Sequence, residues 1–125
     1  MTLIFGGAYQ GKLNYAQSVF GPGATVTMLD EHEAEPDLND EILAGYHRLV
    51  WAQLRKNIDP YAYLQARWDV LSDKIITCDD ISCGVVPVDA ESRGWREAVG
   101  RCLVMLSEQA DSVIRVFCGI GLKIK

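Results

Sequence analysis

The sequence lacks any long apolar segment. None of its apolar runs approaches the roughly 20 residues that a membrane-spanning helix requires. The start, Met1-Thr2-Leu3, also lacks the basic residues that open a secretory signal peptide. We therefore expect a cytoplasmic protein without a membrane span. With 125 residues, the chain is expected to form a single domain, residues 1–125, large enough for a hydrophobic core.

Paired cysteines are also missing. The four cysteines show no CxxC spacing and lie in apolar surroundings, which favours reduced core thiols over a metal or disulfide role. They are Cys78, Cys83, Cys102 and Cys118. A basic excess is absent as well, because the net charge is −5, and this argues against a nucleic-acid partner. No metal site is assigned to the protein.

Lys and Arg are absent from residues 30–41, which contain seven of the chain's 17 acidic residues. The run Asp30-Glu31-His32-Glu33 has side chains that can bind a metal. A solvated acidic loop is more typical of such a run, because like charges repel and stay hydrated. We interpret this segment as an exposed loop that is not an anion site.

The sequence does contain most of a phosphate-binding loop. Gly6, Gly11 and Lys12 fit the pattern of Gly, four residues and Gly-Lys, but Leu13 replaces the usual Ser or Thr. Backbone N–H groups of such a loop hold phosphate oxygens, and the Lys neutralises them. The hydroxyl that normally binds Mg²⁺ is missing. The predicted phosphate-binding residues are Gly6, Gly7, Ala8, Gln10, Gly11, Lys12 and Leu13.

Predicted strands and helices alternate along the chain. Strands are predicted at residues 3–5, 25–29, 41–44, 74–78 and 112–118. Helices are predicted at residues 12–19, 45–56, 59–71 and 89–110. This alternation predicts an α/β fold, with a mostly parallel sheet and helices on both faces. Ligands of such sheets bind beyond the carboxyl ends of the strands, where the loop at residues 6–13 would lie.

Further motifs follow the loop in a specific order. The loop begins Gly6-Gly7-Ala8, residues 75–87 form a strand and loop, Gly100-Arg101 lies in a helix, and residues 113–125 close the chain. In this order and spacing they resemble the bifunctional adenosylcobinamide kinase / adenosylcobinamide-phosphate guanylyltransferase family of cobalamin biosynthesis. The resemblance covers residues 1–20 and nearly all of residues 41–125. It implies a P-loop NTPase-like three-layer sandwich, ATP or GTP as ligand, a cobinamide-type second ligand, and a homo-oligomer, by resemblance a trimer.

The departures from that family concern its chemistry. Leu13 replaces a Ser, and Ala44 falls where the family's Walker B acid is expected. Asp79-Asp80 replaces an Asn-Glu pair, and Leu103-Val104 replaces Asn-Gln. Asp79 and Asp80 are the candidate catalytic residues, as a base or as ligands that reach Mg²⁺ through water. They could equally cap the loop before Gly84. Any Mg²⁺ would be held only through the nucleotide.

The largest departure is a deletion before the third strand. In the family this stretch carries the His that becomes guanylylated, whereas here the acidic residues 30–41 occupy the gap. His32 lies among carboxylates without the surrounding motif, so the nucleophile role is not assigned to it. His47 corresponds to no family nucleophile.

Three functions are consistent with this pattern. The favoured one is a reduced family member that binds a nucleotide or cobinamide-type ligand without full catalysis. The second is a minimal kinase that uses ATP or GTP with an altered metal site. The third is a structural or regulatory subunit with a vestigial loop.

Overall fold

The computed structural model describes residues 1–81 and 87–125, and within them six strands form one sheet. The strands are β1 (Thr2–Gly6), β2 (Val26–Met28), β3 (Ile42–Ala44), β4 (Ile75–Asp79), β5 (Ser112–Phe117) and β6 (Ile120–Lys123). The helices are α1 (Lys12–Phe20), α2 (Tyr46–Arg55), α3 (Pro60–Ala66), α4 (Trp68–Leu71) and α5 (Ala90–Gln109).

The strand order is β2-β3-β4-β1-β5-β6, and all neighbours are parallel except β5 and β6. The prediction of an α/β fold with a mostly parallel sheet is therefore confirmed. After β1 the chain crosses to β2 at one edge, and after β4 it crosses to β5 on the other side of β1. Because these two connections leave in opposite directions, a crevice opens beyond the carboxyl ends of β1 and β4.

Helices pack on both faces of the sheet, as predicted. Successive strand residues point to opposite faces. Leu3 and Ile76 belong to a buried cluster that includes residues of α2, α3 and α5. Ile4 and Ile42 belong to a second cluster, which contains Ala16 of α1. The sequence alternation thus builds two apolar layers, and α1 lies on the same side of the sheet as Ile4.

The predicted helix at residues 59–71 is wrong in one respect, because the structure divides it into α3 and α4. Its start is as expected, since the Asp59 side chain accepts hydrogen bonds from the first turn and Pro60 follows. Arg67 separates the two helices with φ −105° and ψ 9°. That conformation lies outside the helical region, so the hydrogen-bond ladder restarts at Trp68.

The C-terminal hairpin was not predicted beyond its first strand. β5 ends at Phe117, and Cys118 and Gly119 both have positive φ, at 51° and 76°. Two such residues form the tight turn that suits a hairpin, and β6 follows antiparallel to β5. Cys118 is exposed, so its assignment as a core thiol is wrong, whereas Cys78 and Cys102 are buried free thiols. Cys83 and Gly84 lie outside the described residues.

The acidic segment is largely exposed and is stabilised by its own short turns. The Asp30, Glu33 and Asp37 carboxylates each accept a backbone N–H from two residues further on. Ala34 and Leu38 are buried and anchor the segment to the core. Among the described residues, no group of three or more His, Cys, Asp or Glu side chains is placed to hold a metal ion.

No helix in the described parts of the chain combines the length and the apolar character needed to span a membrane.

Replacing Gly6 by Ala should destabilise the protein. A Cβ at Gly6 would overlap the carbonyl oxygen of Val116, because β1 and β5 approach closely there. We expect Gly6→Ala to lower the free energy of unfolding by about 1–3 kcal/mol, as overpacking typically does. The control is Gly23→Ala, because an added Cβ there meets nothing within 4 Å. Urea denaturation measures both, and equal stabilities would contradict the close approach of the two strands.

Candidate functional site

A cavity of about 430 Å³ opens at the crevice beyond the strand ends. It is lined by the loop after β1, the last residues of β2, β3 and β4, and the first turns of α1 and α2. The cavity therefore lies where strand order reverses, which is the common ligand position in open α/β sheets.

Four of the predicted phosphate-binding residues line this cavity. They are Ala8, Gly11, Lys12 and Leu13. Gly6 lies within the sheet at the end of β1, while the Gly7 carbonyl accepts a hydrogen bond from Lys12 Nζ at 2.7 Å. The structure thus brings four of the seven predicted residues, Lys12 included, to one cavity.

Gln10 is turned away from the cavity and fixes the loop to the hairpin turn. Its Oε1 accepts the Cys118 N–H at 2.7 Å, and its backbone carbonyl accepts the Gly119 N–H at 2.8 Å. Gln10 is therefore placed to hold the loop in shape, and its side chain does not line the cavity with the other described residues.

Tyr9 lines the cavity although the sequence analysis did not single it out. It has φ 58°, and its side chain is fully exposed at the tip of the loop. Non-glycine residues rarely adopt this left-handed conformation. In the sequence, the only signal for Tyr9 was its position inside the loop.

The two helices that begin at the cavity have no side-chain cap. Helix α1 follows Gly11 and helix α2 follows Gly45, and both glycines have a left-handed backbone conformation. The first turn of each helix contains no acidic residue. By contrast, α3 and α5 begin with the capping carboxylates of Asp59 and Asp89. Backbone N–H groups at an uncapped helix start favour an anion. This end of the sheet thus has two helix starts suited to negative charge.

Lys12 forms an ion pair with Asp79. The Lys12 Nζ lies 2.6 Å from Asp79 Oδ1, and its side chain is 8% exposed compared with 22% for Asp79. The pair connects the loop after β1 to the last residue of β4. Of the two predicted catalytic acids, Asp79 therefore contacts Lys12, the lysine predicted to bind phosphate.

Asp80 lies one residue beyond β4. Its backbone N–H donates to the Gly6 carbonyl at 2.8 Å, which extends the pairing of β1 and β4. Within the described residues, the cavity lining includes Asp79 but not Asp80. The two neighbouring acids are thus placed differently, and only Asp79 reaches the cavity.

His47 is a buried site residue that the sequence analysis left without a role. Its Nδ1 accepts the backbone N–H of Asp79 at 3.1 Å, and its Nε2 lies 3.4 Å from Asp79 Oδ2. Burial lowers the pKa of His47 to about 4, although the Asp79 carboxylate raises it and Arg48 and Lys12 lower it. The imidazole is therefore neutral near pH 7, with its proton on Nε2.

The positions expected to bind a metal offer no oxygen ligand. Leu13 packs partly buried against the cluster that contains Ile4, and Ala44 is 2% exposed at the end of β3. Ala44 pairs with Thr77, whose hydroxyl oxygen already accepts the Gly45 N–H at 3.1 Å. Mg²⁺ prefers carboxylate oxygens. The side chains at residues 13 and 44 therefore do not fit a protein-bound Mg²⁺.

Comparison with models of protein families finds no match to this chain, and comparison with curated proteins finds none either.

The neutral state of His47 should make stability depend on pH. The unfolded chain protonates this residue near pH 6.5, whereas the folded chain does so only near pH 4. Between these values the unfolded state binds more protons, so stability rises with pH. We expect the free energy of unfolding to fall as pH decreases from 6.5 to about 4, with no further loss from His47 below that.

Urea denaturation across this pH range, with His47→Gln as the test variant, measures the contribution. The variant should lose part of the wild-type pH dependence between pH 6.5 and 4. The control is His32→Gln, because His32 is exposed in the acidic loop. The same pH dependence in wild type and His47→Gln would show that His47 is not held neutral by the fold.

Proposed function

We propose that this chain is a nucleotide-binding protein with a P-loop NTPase-like three-layer sandwich, related to the adenosylcobinamide kinase / guanylyltransferase enzymes of cobalamin biosynthesis. It binds the phosphate groups of ATP or GTP and lacks the guanylyltransferase and full kinase chemistry of those enzymes. The observation that carries the proposal is the buried Lys12, placed in a cavity at the start of an uncapped helix.

Lys12 retains capacity for a phosphate oxygen. An ammonium group has three N–H donors, and the contacts with Gly7 and Asp79 use two of them. The loop backbone and the start of α1 supply further donors at the same place. A phosphate oxygen would therefore bind the Lys12 ammonium group together with the Asp79 carboxylate, or displace that carboxylate from it.

The loss of metal ligands supports binding without full kinase activity. Phosphoryl transfer depends on Mg²⁺ to neutralise developing charge. With Leu13 and Ala44 at the ligand positions, phosphate oxygens and water would have to hold the ion. Asp79, which lines the cavity, already forms an ion pair with Lys12, and its second carboxylate oxygen lies 3.4 Å from His47 Nε2.

The histidines support the absence of guanylyltransferase activity. His32 is exposed in the acidic loop, beside the Glu31 carboxylate. His47 is buried, and its Nδ1 is occupied by the Asp79 N–H. Among the described residues, His32 does not line the cavity that contains Lys12, and the Nδ1 of His47 already accepts a hydrogen bond.

The proposal extends to self-association and to a second ligand. Phe117, Ile120 and Leu122 share one face of the β5–β6 hairpin and are 63%, 74% and 66% exposed. This apolar face supports self-association into a homo-oligomer, and the family resemblance implies that the oligomer is a trimer. The same resemblance implies that the second ligand is a cobinamide-type molecule.

Removing the charge of Lys12 should weaken nucleotide binding. We expect Lys12→Met to weaken ATP and GTP binding roughly 10- to 100-fold, the usual effect of losing a hydrogen bond to a charged group. The matched control is Lys56→Met, because Lys56 is exposed beyond the end of α2. Isothermal titration of both variants measures the effect.

Two outcomes of this titration would contradict the proposal. Equal affinities for wild type and Lys12→Met would place the nucleotide elsewhere, and no binding at all would indicate a structural or regulatory subunit. Mg²⁺-dependent turnover of ATP or GTP would identify the minimal kinase instead.

Neutralising Asp79 should strengthen nucleotide binding. The Asp79 carboxylate competes with phosphate for Lys12 and also repels the phosphate. We therefore expect Asp79→Asn to bind ATP more tightly than wild type. Each 1.4 kcal/mol of binding free energy that this competition costs corresponds to roughly a tenfold change in affinity. The control is Asp73→Asn, because Asp73 is exposed near the opposite end of β4. Weaker binding in Asp79→Asn would instead assign the carboxylate a direct role in holding the ligand.

A further inference from the structure

Arg48 is a second cation at the cavity, and its guanidinium is fixed by backbone oxygens. Its Nε donates to the Leu29 carbonyl at 2.7 Å, and its Nη2 donates to the Ala44 carbonyl at 3.1 Å. A guanidinium has five N–H donors, so these two contacts leave others available. Arg48 is also one of the residues that line the cavity.

The charge of Arg48 is not neutralised by an acid. Across residues 1–81 and 87–125, the structure records no carboxylate as its ion-pair partner, whereas Lys12 is paired with Asp79. Gly45 makes this arrangement possible, because a Cβ at that position would overlap the guanidinium. The sequence therefore leaves space for a cation beside the end of β3.

The Arg48 guanidinium lies beside Ala44, the position at which the family resemblance implies a metal-binding acid. The guanidinium binds the carbonyl of Ala44, the residue that replaces the expected acid. A carboxylate at residue 44 would attract both Mg²⁺ and the guanidinium, whereas an Ala leaves Arg48 free to act on an anion. Arginine stays charged at any physiological pH and can bind phosphate with two N–H groups.

We propose that Arg48 replaces the magnesium ion at this site, so that the protein binds the phosphate groups of a metal-free nucleotide between Arg48 and Lys12. This inference rests on the proposed function and specifies its ligand. Among the described residues that line the cavity, Lys12 and Arg48 are cations and Asp79 is the one carboxylate, so their summed charge is positive. A bound Mg²⁺ would be repelled by that charge.

The first experiment uses the wild-type protein and compares ATP binding in EDTA with binding in excess Mg²⁺. We expect ATP to bind in EDTA and to bind several-fold more weakly when Mg²⁺ is added. Stronger binding with Mg²⁺ would overturn the inference. Because no variant is involved, a folding defect cannot affect the result.

The second experiment changes Arg48. We expect Arg48→Gln to weaken metal-free ATP binding roughly 10- to 100-fold, since a hydrogen bond to a charged group is lost. Added Mg²⁺ should then strengthen binding, which reverses its effect on wild type. Arg48→Lys should recover part of the affinity because it keeps the charge. The matched control is Arg55→Gln, on the same helix and paired with Glu91.

The two proposals fail in different ways. If Lys12→Met binds ATP as well as wild type, the phosphate site itself is wrong. If Lys12→Met loses binding but Arg48→Gln retains it, only the role of Arg48 is overturned. The role of Arg48 is also overturned if added Mg²⁺ changes ATP affinity equally in Arg48→Gln and in wild type. A purely structural Arg48 would leave the effect of Mg²⁺ on ATP affinity unchanged.

Discussion

The ion pair between Lys12 and Asp79 joins the start of α1 to the end of β4, and the rest of the site is arranged around this contact. It exists because β1 and β4 are adjacent and in parallel register, with Gly6 opposite Asp79. That register places the loop after β1 level with the end of β4. The connection after β1 and the connection after β4 run in opposite directions, so the space beyond the ends of these two strands is left open. The pair holds Lys12 in place beside the last residue of β4.

The surrounding residues form one electrostatic arrangement. Among the described residues that line the cavity, Lys12 and Arg48 are cations and Asp79 is a carboxylate. Burial lowers the pKa of His47 and the two cations lower it further, whereas the Asp79 carboxylate raises it. Two uncapped helix starts add positive potential. In the function we propose, Arg48, which donates a hydrogen bond to the Ala44 carbonyl, supplies the positive charge that a metal ion would bring to the phosphates.

The sequence predicts the fold better than the site, for a physical reason. Strand and helix periodicity is local, so the alternating elements and the loop around Lys12 were predictable. The partners of Lys12 depend on which strands pair, and Asp79 lies in a strand far along the chain. The roles of His47 and Arg48 depend on the geometry at the start of α2. The hairpin was missed because Cys118 is not typical of a left-handed turn position.

The most direct test of this account is a crystal structure of the protein grown with ADP and Mg²⁺. The account predicts phosphate oxygens within hydrogen-bonding distance of both Lys12 Nζ and the Arg48 guanidinium, with no metal ion between the phosphates and the protein. A Mg²⁺ ion coordinated by a protein side chain beside the phosphates, or ADP bound away from Lys12, would contradict it.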